Sequence, residues 1–135
     1  MIRKLPSFSP SLAPAVLRLT MAGVFMWFGV SQVTAPMNWI GFVPDLAISL
    51  SGLSTATLVI LNGGIEIVGS IFLATNLWSR WAALILGVHL FGIAATLGWN
   101  AIGVRDFGLA LATLTIFLDS REWRGTFDRS IKRRI

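Results

Sequence analysis

Four long apolar stretches limit the folds that this 135-residue chain can adopt. They cover residues 11–33, 55–76, 81–98 and 102–118. A helix needs about 20 residues to cross the roughly 30 Å of hydrocarbon in a bilayer, and each stretch is close to that length. Hydrophobic residues make up 55% of the chain and charged residues 13%. The sequence therefore predicts an all-α, integral membrane four-helix bundle in a single domain, 1–135, without a soluble catalytic domain.

The basic residues predict how the bundle is oriented, because Lys and Arg near the ends of spans stay on the cytoplasmic side. The loop at 34–54 contains no Lys or Arg. Most of the bases lie before the first span, between the second and third, or after the fourth: Arg3, Lys4, Arg80, Arg121, Arg124, Arg129, Lys132, Arg133 and Arg134. We therefore expect both termini to be cytoplasmic, and we interpret the net charge of +5 as topology and not as a nucleic-acid surface.

A cleaved signal peptide is the rival interpretation of the N-terminus. Arg3 and Lys4 would be its basic region, and residues 19–30 its apolar region. We favour a retained first span, because Arg18 directly precedes the apolar run and cleavage would leave three spans.

The loop at 34–54 is nearly uncharged, although it should meet water. Its central run, from Pro36 to Pro44, reads PMNWIGFVP. Such a segment lies in the membrane interface or covers the end of a bundle, because exposed apolar patches find a packing partner. We expect a packed cap, and a ligand-gating lid is the alternative.

The C-terminal tail, 119–135, predicts a surface helix with an apolar stripe and a basic rim. Apolar residues recur every four positions from Trp123 to Ile135, which is the spacing of one helical face. The tail would bind an anionic lipid surface or a partner subunit, and both interpretations stay open. Its candidate anchoring residues are Trp123, Arg124, Arg129, Lys132, Arg133 and Arg134.

Three ionisable side chains fall inside the apolar spans and away from their outer ends, namely Arg18, Glu66 and His89. Each costs at least about 2.5 to 3.5 kcal/mol in hydrocarbon, so each needs a partner or a function. Counting along the helices gives the three a similar depth. We therefore predict that Glu66 accepts a hydrogen bond from Arg18, and that His89 or Asn62 completes the network. This network either fixes the helix register or handles a proton or a quinone head group.

The remaining polar residues predict little chemistry. Arg105 and Asp106 are adjacent at the start of the fourth span, where we expect Asp106 to favour the helix end and Arg105 to hold a lipid phosphate or the loop. The chain has no cysteine and one histidine, so we predict no metal site and no covalently bound cofactor. Facing spans show no pair of carboxylates and the chain has no nucleophile motif, so we do not expect catalysis by this chain alone.

The order of several motifs carries a resemblance to a known family. The motifs are Leu17-Arg18-Leu19 leading to Gly29, GIEIVG at 64–69, SRWAA at 79–83 and VRDF at 104–107. With Arg in the first helix, Glu in the second and Arg-Asp entering the fourth, the chain resembles the DoxX/DoxD-like family of small bacterial and archaeal membrane proteins. The resemblance covers about Ala15 to Leu118. Gln32 departs from it, because the family often has a lysine soon after the glycine of the first helix.

The resemblance implies a four-helix membrane subunit of the kind associated with thiosulfate:quinone oxidoreductase and terminal oxidase systems. The family-like polar positions are Arg18, Glu66, Arg80, Arg105 and Asp106. On this basis we expect an accessory subunit of a larger quinone-linked or respiratory complex in a bacterial or archaeal cytoplasmic membrane, with quinone and lipids as ligands. The alternatives are a structural or assembly subunit of another energy-transducing complex, for example a photosynthetic one, and a small proton pathway or transporter.

Overall fold

The computed structural model describes residues 12–119, which form helices and connecting turns. The helices are α1 (Leu12–Thr34), α2 (Asp45–Ser51), α3 (Thr55–Thr75), α4 (Ser79–Leu97) and α5 (Ala101–Leu118), and two short 3-10 helices, Pro36–Asn38 and Ile40–Phe42, connect α1 to α2. The tail beyond Asp119 lies outside the described residues, and so do its predicted anchoring residues Trp123, Arg124, Arg129, Lys132, Arg133 and Arg134.

Four of the helices are long and apolar enough to cross a membrane, namely α1, α3, α4 and α5. Their ends lie within two residues of the predicted spans. No strand occurs between residues 12 and 119. The prediction of an all-α membrane bundle of four helices is confirmed.

Side-chain caps set where two of the spanning helices begin. The hydroxyl of Ser54 accepts a hydrogen bond from the backbone N–H of Thr57 and caps α3. The side chain of Asn100 accepts from the N–H groups of Ile102 and Gly103 and caps α5. Such caps satisfy N–H groups that have no partner inside the helix. The expectation that Asp106 favours the start of this helix is therefore wrong, because the helix begins five residues before Asp106.

The spanning helices pack most closely in two pairs, α1 with α3 and α4 with α5. A Cβ atom added to Gly29 would lie 2.7 Å from the carbonyl oxygen of Gly63, and a Cβ added to Gly63 would lie 2.7 Å from the carbonyl oxygen of Gly29. Gly87 of α4 similarly contacts Leu114 of α5, whose side chain would lie 2.8 Å from an added Cβ. Small residues bring these backbones together, as membrane helices require.

The bundle has two different ends. We call the end with the loop at 35–54 the lid face, and the end with the turn between α3 and α4 the turn face. A buried apolar core extends from the centre of the bundle towards the turn face, and it consists of Met21, Ala22, Phe25, Leu73, Ala82, Ala83, Leu86, Leu90 and Ala110. The expected orientation, with the turn face in the cytoplasm, stays a prediction.

Arg18 lies near the turn face and not beside Glu66. Its Nη1 atom donates to the carbonyl oxygen of Leu73 and, at 3.0 Å, to that of Ala74. These carbonyl groups are in the last turn of α3, where helical partners are missing and cations are favoured. The seven residues from Glu66 to Leu73 span about 10 Å of helix. The predicted hydrogen bond from Arg18 to Glu66 is therefore wrong, because the arginine extends towards the nearest helix end.

The loop between α1 and α3 folds over the lid face. The Nε1 atom of Trp39 donates to the hydroxyl of Ser31 at 3.1 Å. The indole of Trp39 also meets the edges or faces of three rings, with centroid distances of 6.5 Å to Trp27, 5.5 Å to Phe28 and 5.9 Å to Phe42. Aromatic pairs at such distances are favourable beyond their buried area. The expected cap over the bundle is therefore present, and Trp39 holds it to α1.

Candidate functional site

A cavity of about 760 Å³ occupies the half of the bundle nearest to the lid face. It lies between the two close helix pairs, and each spanning helix contributes its lid-side half to the wall. The lining segments are 24–32 of α1, 58–66 of α3, 88–97 of α4 and 102–109 of α5, with 38–47 of the loop. Binding sites for small molecules have volumes of about 300 to 1,000 Å³. The cavity is therefore large enough for an aromatic head group.

Four polar side chains form a hydrogen-bonded group in the wall of this cavity, and we call it the polar cluster: Gln32, Asn62, Glu66 and His89. Glu66 accepts from Nε2 of Gln32 at 3.0 Å and from Nδ2 of Asn62 at 3.1 Å. Nδ2 of Asn62 also donates to Oε1 of Gln32 at 2.7 Å. The residue Glu66 is 3% exposed. Amide groups thus satisfy both carboxylate oxygens of a buried glutamate.

His89 completes the polar cluster through Asn62. Its Nε2 atom is hydrogen-bonded to Oδ1 of Asn62. An amide oxygen can only accept, so Nε2 carries the hydrogen in this arrangement, and Nδ1 of a neutral ring is left as an acceptor. Among residues 12–119, Nδ1 has no hydrogen-bond partner. His89 therefore offers an acceptor at the cavity wall.

The structure brings together three of the four residues that the sequence grouped, Asn62, Glu66 and His89, and it replaces Arg18 by Gln32. Sequence reasoning treated Gln32 as a departure from the family pattern and missed its contact with Glu66. The available signal was its helical spacing of three from Gly29, which puts both residues on one face of α1. Gln32 is buried, as this spacing indicates.

Arg105 and Asp106 form a second polar site on the cavity wall. Nε and Nη2 of Arg105 each lie 2.8 Å from Oδ1 of Asp106. The side chain of Asp106 is 9% exposed, whereas that of Arg105 is 49% exposed. The guanidinium carbon lies 5.4 Å from the ring centroid of Phe28, so the arginine connects α5 to α1. Asp106 thus points inward, and Arg105 pairs with it beside the ring cluster of Trp27, Phe28, Trp39 and Phe42, which we call the roof of the cavity.

The cavity therefore holds two carboxylates with different partners. Asp106 is paired with Arg105. Within the described residues, the partners of Glu66 are amides and it has no cationic partner. The expectation that facing spans carry no pair of carboxylates is wrong, because Glu66 of α3 and Asp106 of α5 line the same cavity. Asp106 lies six residues beyond the cap residue Asn100 and so lies within the helix and not at its end.

Arg80, the remaining family-like position, lies near the turn face and does not line the cavity. Its guanidinium carbon is 4.8 Å from the ring centroid of Phe117 and 5.9 Å from that of Trp81. Cation–π contacts of this kind hold the start of α4 against the end of α5. Its contacts therefore indicate a packing role.

Cysteine labelling should show that the cavity opens towards the lid face. We expect Ser31→Cys, at the cavity wall, to react with a membrane-impermeant thiol reagent at least about tenfold faster than Ser70→Cys, because Ser70 is 1% exposed and faces the core. The native chain has no cysteine to interfere. Ser79→Cys, near the turn face, should react from the opposite side of sealed vesicles. Modification of the cysteines at 31 and 79 from the same side would contradict this arrangement.

The fold and the cavity define a multi-pass membrane protein built as a four-helix bundle. A comparison with protein families matches residues 13–99, more than half of the chain, to DoxX. This chain belongs to the DoxX family. The matched region includes the whole polar cluster, whereas Arg105 and Asp106 follow it. No curated protein and no solved structure matches the chain.

Proposed function

We propose that this chain is an integral subunit of a larger quinone-linked or respiratory membrane complex, and that its cavity binds the head group of a quinone. The cavity with the polar cluster in its wall carries this proposal. A quinone head group is a flat ring with polar atoms on opposite edges, and it needs aromatic or apolar walls with a few fixed polar groups. Trp27, Phe28 and Trp39 line the cavity together with Glu66 and His89.

The residues of the chain would bind and orient the head group. Glu66 and His89 would lie at one edge of the ring and accept hydrogen bonds from the hydroxyl groups of the reduced head group, and the ring would pack under Trp39. A quinone supplies redox chemistry when it is bound, while the amides of Gln32 and Asn62 keep the glutamate in place. Preorganised groups of this kind reduce the ordering cost of binding.

The outer surface of the bundle supports the role of a subunit in a membrane. The spanning helices expose many large apolar side chains outside the cavity, including Leu19, Ile65 and Ile85, which contact lipid. On the lid face, α2 also exposes Leu46 and Leu50. These leucines would provide apolar surface for another subunit or for the membrane interface.

Two alternatives make different predictions. A structural or assembly subunit would need the close packing of the helix pairs but not a ligand in the cavity. A proton pathway would need a polar route to the turn face, and the apolar core around Phe25, Leu73 and Leu86 lies in that direction. Proton flux into proteoliposomes that disappears in Glu66→Gln would favour the pathway.

Purification from native membranes in a mild detergent tests the proposal. We expect a quinone to be extracted in near-stoichiometric amount, together with other subunits of a redox complex. A lone monomer without bound quinone would contradict it, and co-purifying subunits without quinone would favour the structural alternative.

The variant Glu66→Gln should bind a short-chain quinol about tenfold or more weakly than the unmodified chain. A hydrogen bond to a charged acceptor contributes about 1.5 to 3 kcal/mol, and 1.4 kcal/mol is a factor of ten in affinity. Isothermal titration calorimetry of the purified protein measures this change. The matched control is Asp45→Asn, which removes an exposed carboxylate outside the cavity and should leave the affinity unchanged. Equal affinities for Glu66→Gln and Asp45→Asn would exclude Glu66 from the ligand site.

A further inference from the structure

The polar cluster has more free acceptors than free donors. Both amide hydrogens of Asn62 are in use, one with Gln32 and one with Glu66. Gln32 gives one amide hydrogen to Glu66, which leaves it one. Each carboxylate oxygen of Glu66 accepts one amide hydrogen and keeps a further lone pair. With Nδ1 of His89 and the second lone pairs on the amide oxygens of Gln32 and Asn62, the cluster therefore offers five acceptor positions and one donor.

The second polar site on the cavity wall offers donors as well as an acceptor. Arg105 directs Nε and one hydrogen of Nη2 towards Oδ1 of Asp106, and its other three N–H hydrogens have no partner among residues 12–119. Oδ2 of Asp106 has no hydrogen-bond partner among these residues either. The excess of acceptors is therefore a property of the polar cluster, and the half-exposed arginine lies beside the roof.

The acceptor-rich polar cluster discriminates between ligands that have the same shape. A hydroxyl group satisfies a buried acceptor, whereas a carbonyl oxygen in the same position faces the lone pairs of a carboxylate. Buried groups left without a partner are costly, so a site built for a hydroxyl rejects the analogue that lacks it. The aromatic and apolar walls contact the ring and its substituents alike in both cases. Selectivity would therefore come from the polar atoms.

We propose that the cavity selects a ligand with hydrogen-bond donors, and that it binds the hydroquinone form of its ligand in preference to the quinone form. This inference rests on the proposed function and adds the oxidation state of the ligand. The hydroxyl groups of the hydroquinone donate to Glu66 and to Nδ1 of His89. The quinone form, whose carbonyl oxygens only accept, leaves Nδ1 of His89 and the remaining lone pairs of Glu66 without a donor.

Three probes with one ring skeleton test this selectivity on the full-length protein in detergent: a decyl-substituted benzoquinone, its hydroquinone, and the dimethyl ether of that hydroquinone. Calorimetric titrations under anaerobic conditions give the dissociation constants. We expect the hydroquinone to bind at least about tenfold more tightly than the quinone. The dimethyl ether should bind as weakly as the quinone, because it retains the ring and tail but has no hydroxyl hydrogen.

The outcomes separate this inference from the proposed function. Equal binding of quinone and hydroquinone overturns the inference and leaves the quinone site in place. Binding of none of the three probes overturns both. In Glu66→Gln the ratio of the dissociation constants of the quinone and the hydroquinone should fall towards one. In Asp45→Asn this ratio should stay as it is in the unmodified chain. The comparison of the three probes needs no variant, so it stays decisive if Glu66→Gln does not fold.

Discussion

Replacing Gly63 by valine is expected to destabilise the bundle by about 2 to 3 kcal/mol, since overpacking a close contact usually costs 1 to 3 kcal/mol. A Cβ atom at this position would lie 2.7 Å from the carbonyl oxygen of Gly29 and 3.0 Å from Cβ of Gln32. Neither the backbone of α1 nor the start of the Gln32 side chain can rotate away. Unfolding in a denaturing detergent, followed by tryptophan fluorescence and circular dichroism, gives the change in the free energy of unfolding.

The matched control is Gly64→Val at the next position of the same helix. A Cβ atom on Gly64 would have no neighbouring atom within 4 Å. Both substitutions change the helix propensity of α3 equally, so their difference isolates the contact with α1. We also expect Gly63→Val to weaken ligand binding, because a shift of α1 separates Gln32 from Glu66. Equal destabilisation by the two substitutions would show that α1 and α3 do not cross closely at Gly63.

Replacing Trp39 by alanine is expected to speed ligand dissociation by about 10- to 100-fold. The substitution removes the hydrogen bond to Ser31 and three ring contacts from the roof of the cavity. Each aromatic pair contributes about 0.5 to 1.5 kcal/mol, and most changes in affinity at such sites appear in the dissociation rate. Stopped-flow displacement of a bound hydroquinone by an excess of competitor measures this rate.

Trp99→Ala is the control for the roof. Trp99 also lies at the lid face, is 95% exposed and does not line the cavity. Its replacement removes an interfacial tryptophan of the same size but no contact in the roof. We expect the dissociation rate of this variant to equal that of the unmodified chain. Equal acceleration in Trp39→Ala and Trp99→Ala would mean that the loop does not cover the bound ligand.

The sequence predicted the features that depend on one helix at a time. Apolar length defined the four spans, and the helices begin and end within two residues of them. The caps at Ser54 and Asn100 set the starts of α3 and α5. Depth and helical spacing also grouped Glu66, Asn62 and His89. These properties follow from the rise and periodicity of a helix, which need no knowledge of its neighbours.

The features that the sequence did not predict depend on how helices meet. The predicted partner of Arg18 was wrong because a long side chain can reach the carbonyl groups at a helix end. The depth of a residue in the membrane does not determine the direction in which its side chain extends. Gln32 reaches Glu66 because α1 and α3 cross at Gly29 and Gly63. The cavity exists because the two close helix pairs are less tightly packed against each other, which no single segment reveals.

Photoaffinity labelling with an azido-substituted quinone tests the central claim that the head group binds in the cavity. Peptide mapping of the labelled, purified protein should find the label on cavity-lining segments, chiefly 58–66 and 88–97, and an excess of unlabelled hydroquinone should prevent the reaction. Labelling that is confined to the lipid-exposed surface, or that unlabelled hydroquinone does not reduce, would contradict a quinone site in this bundle.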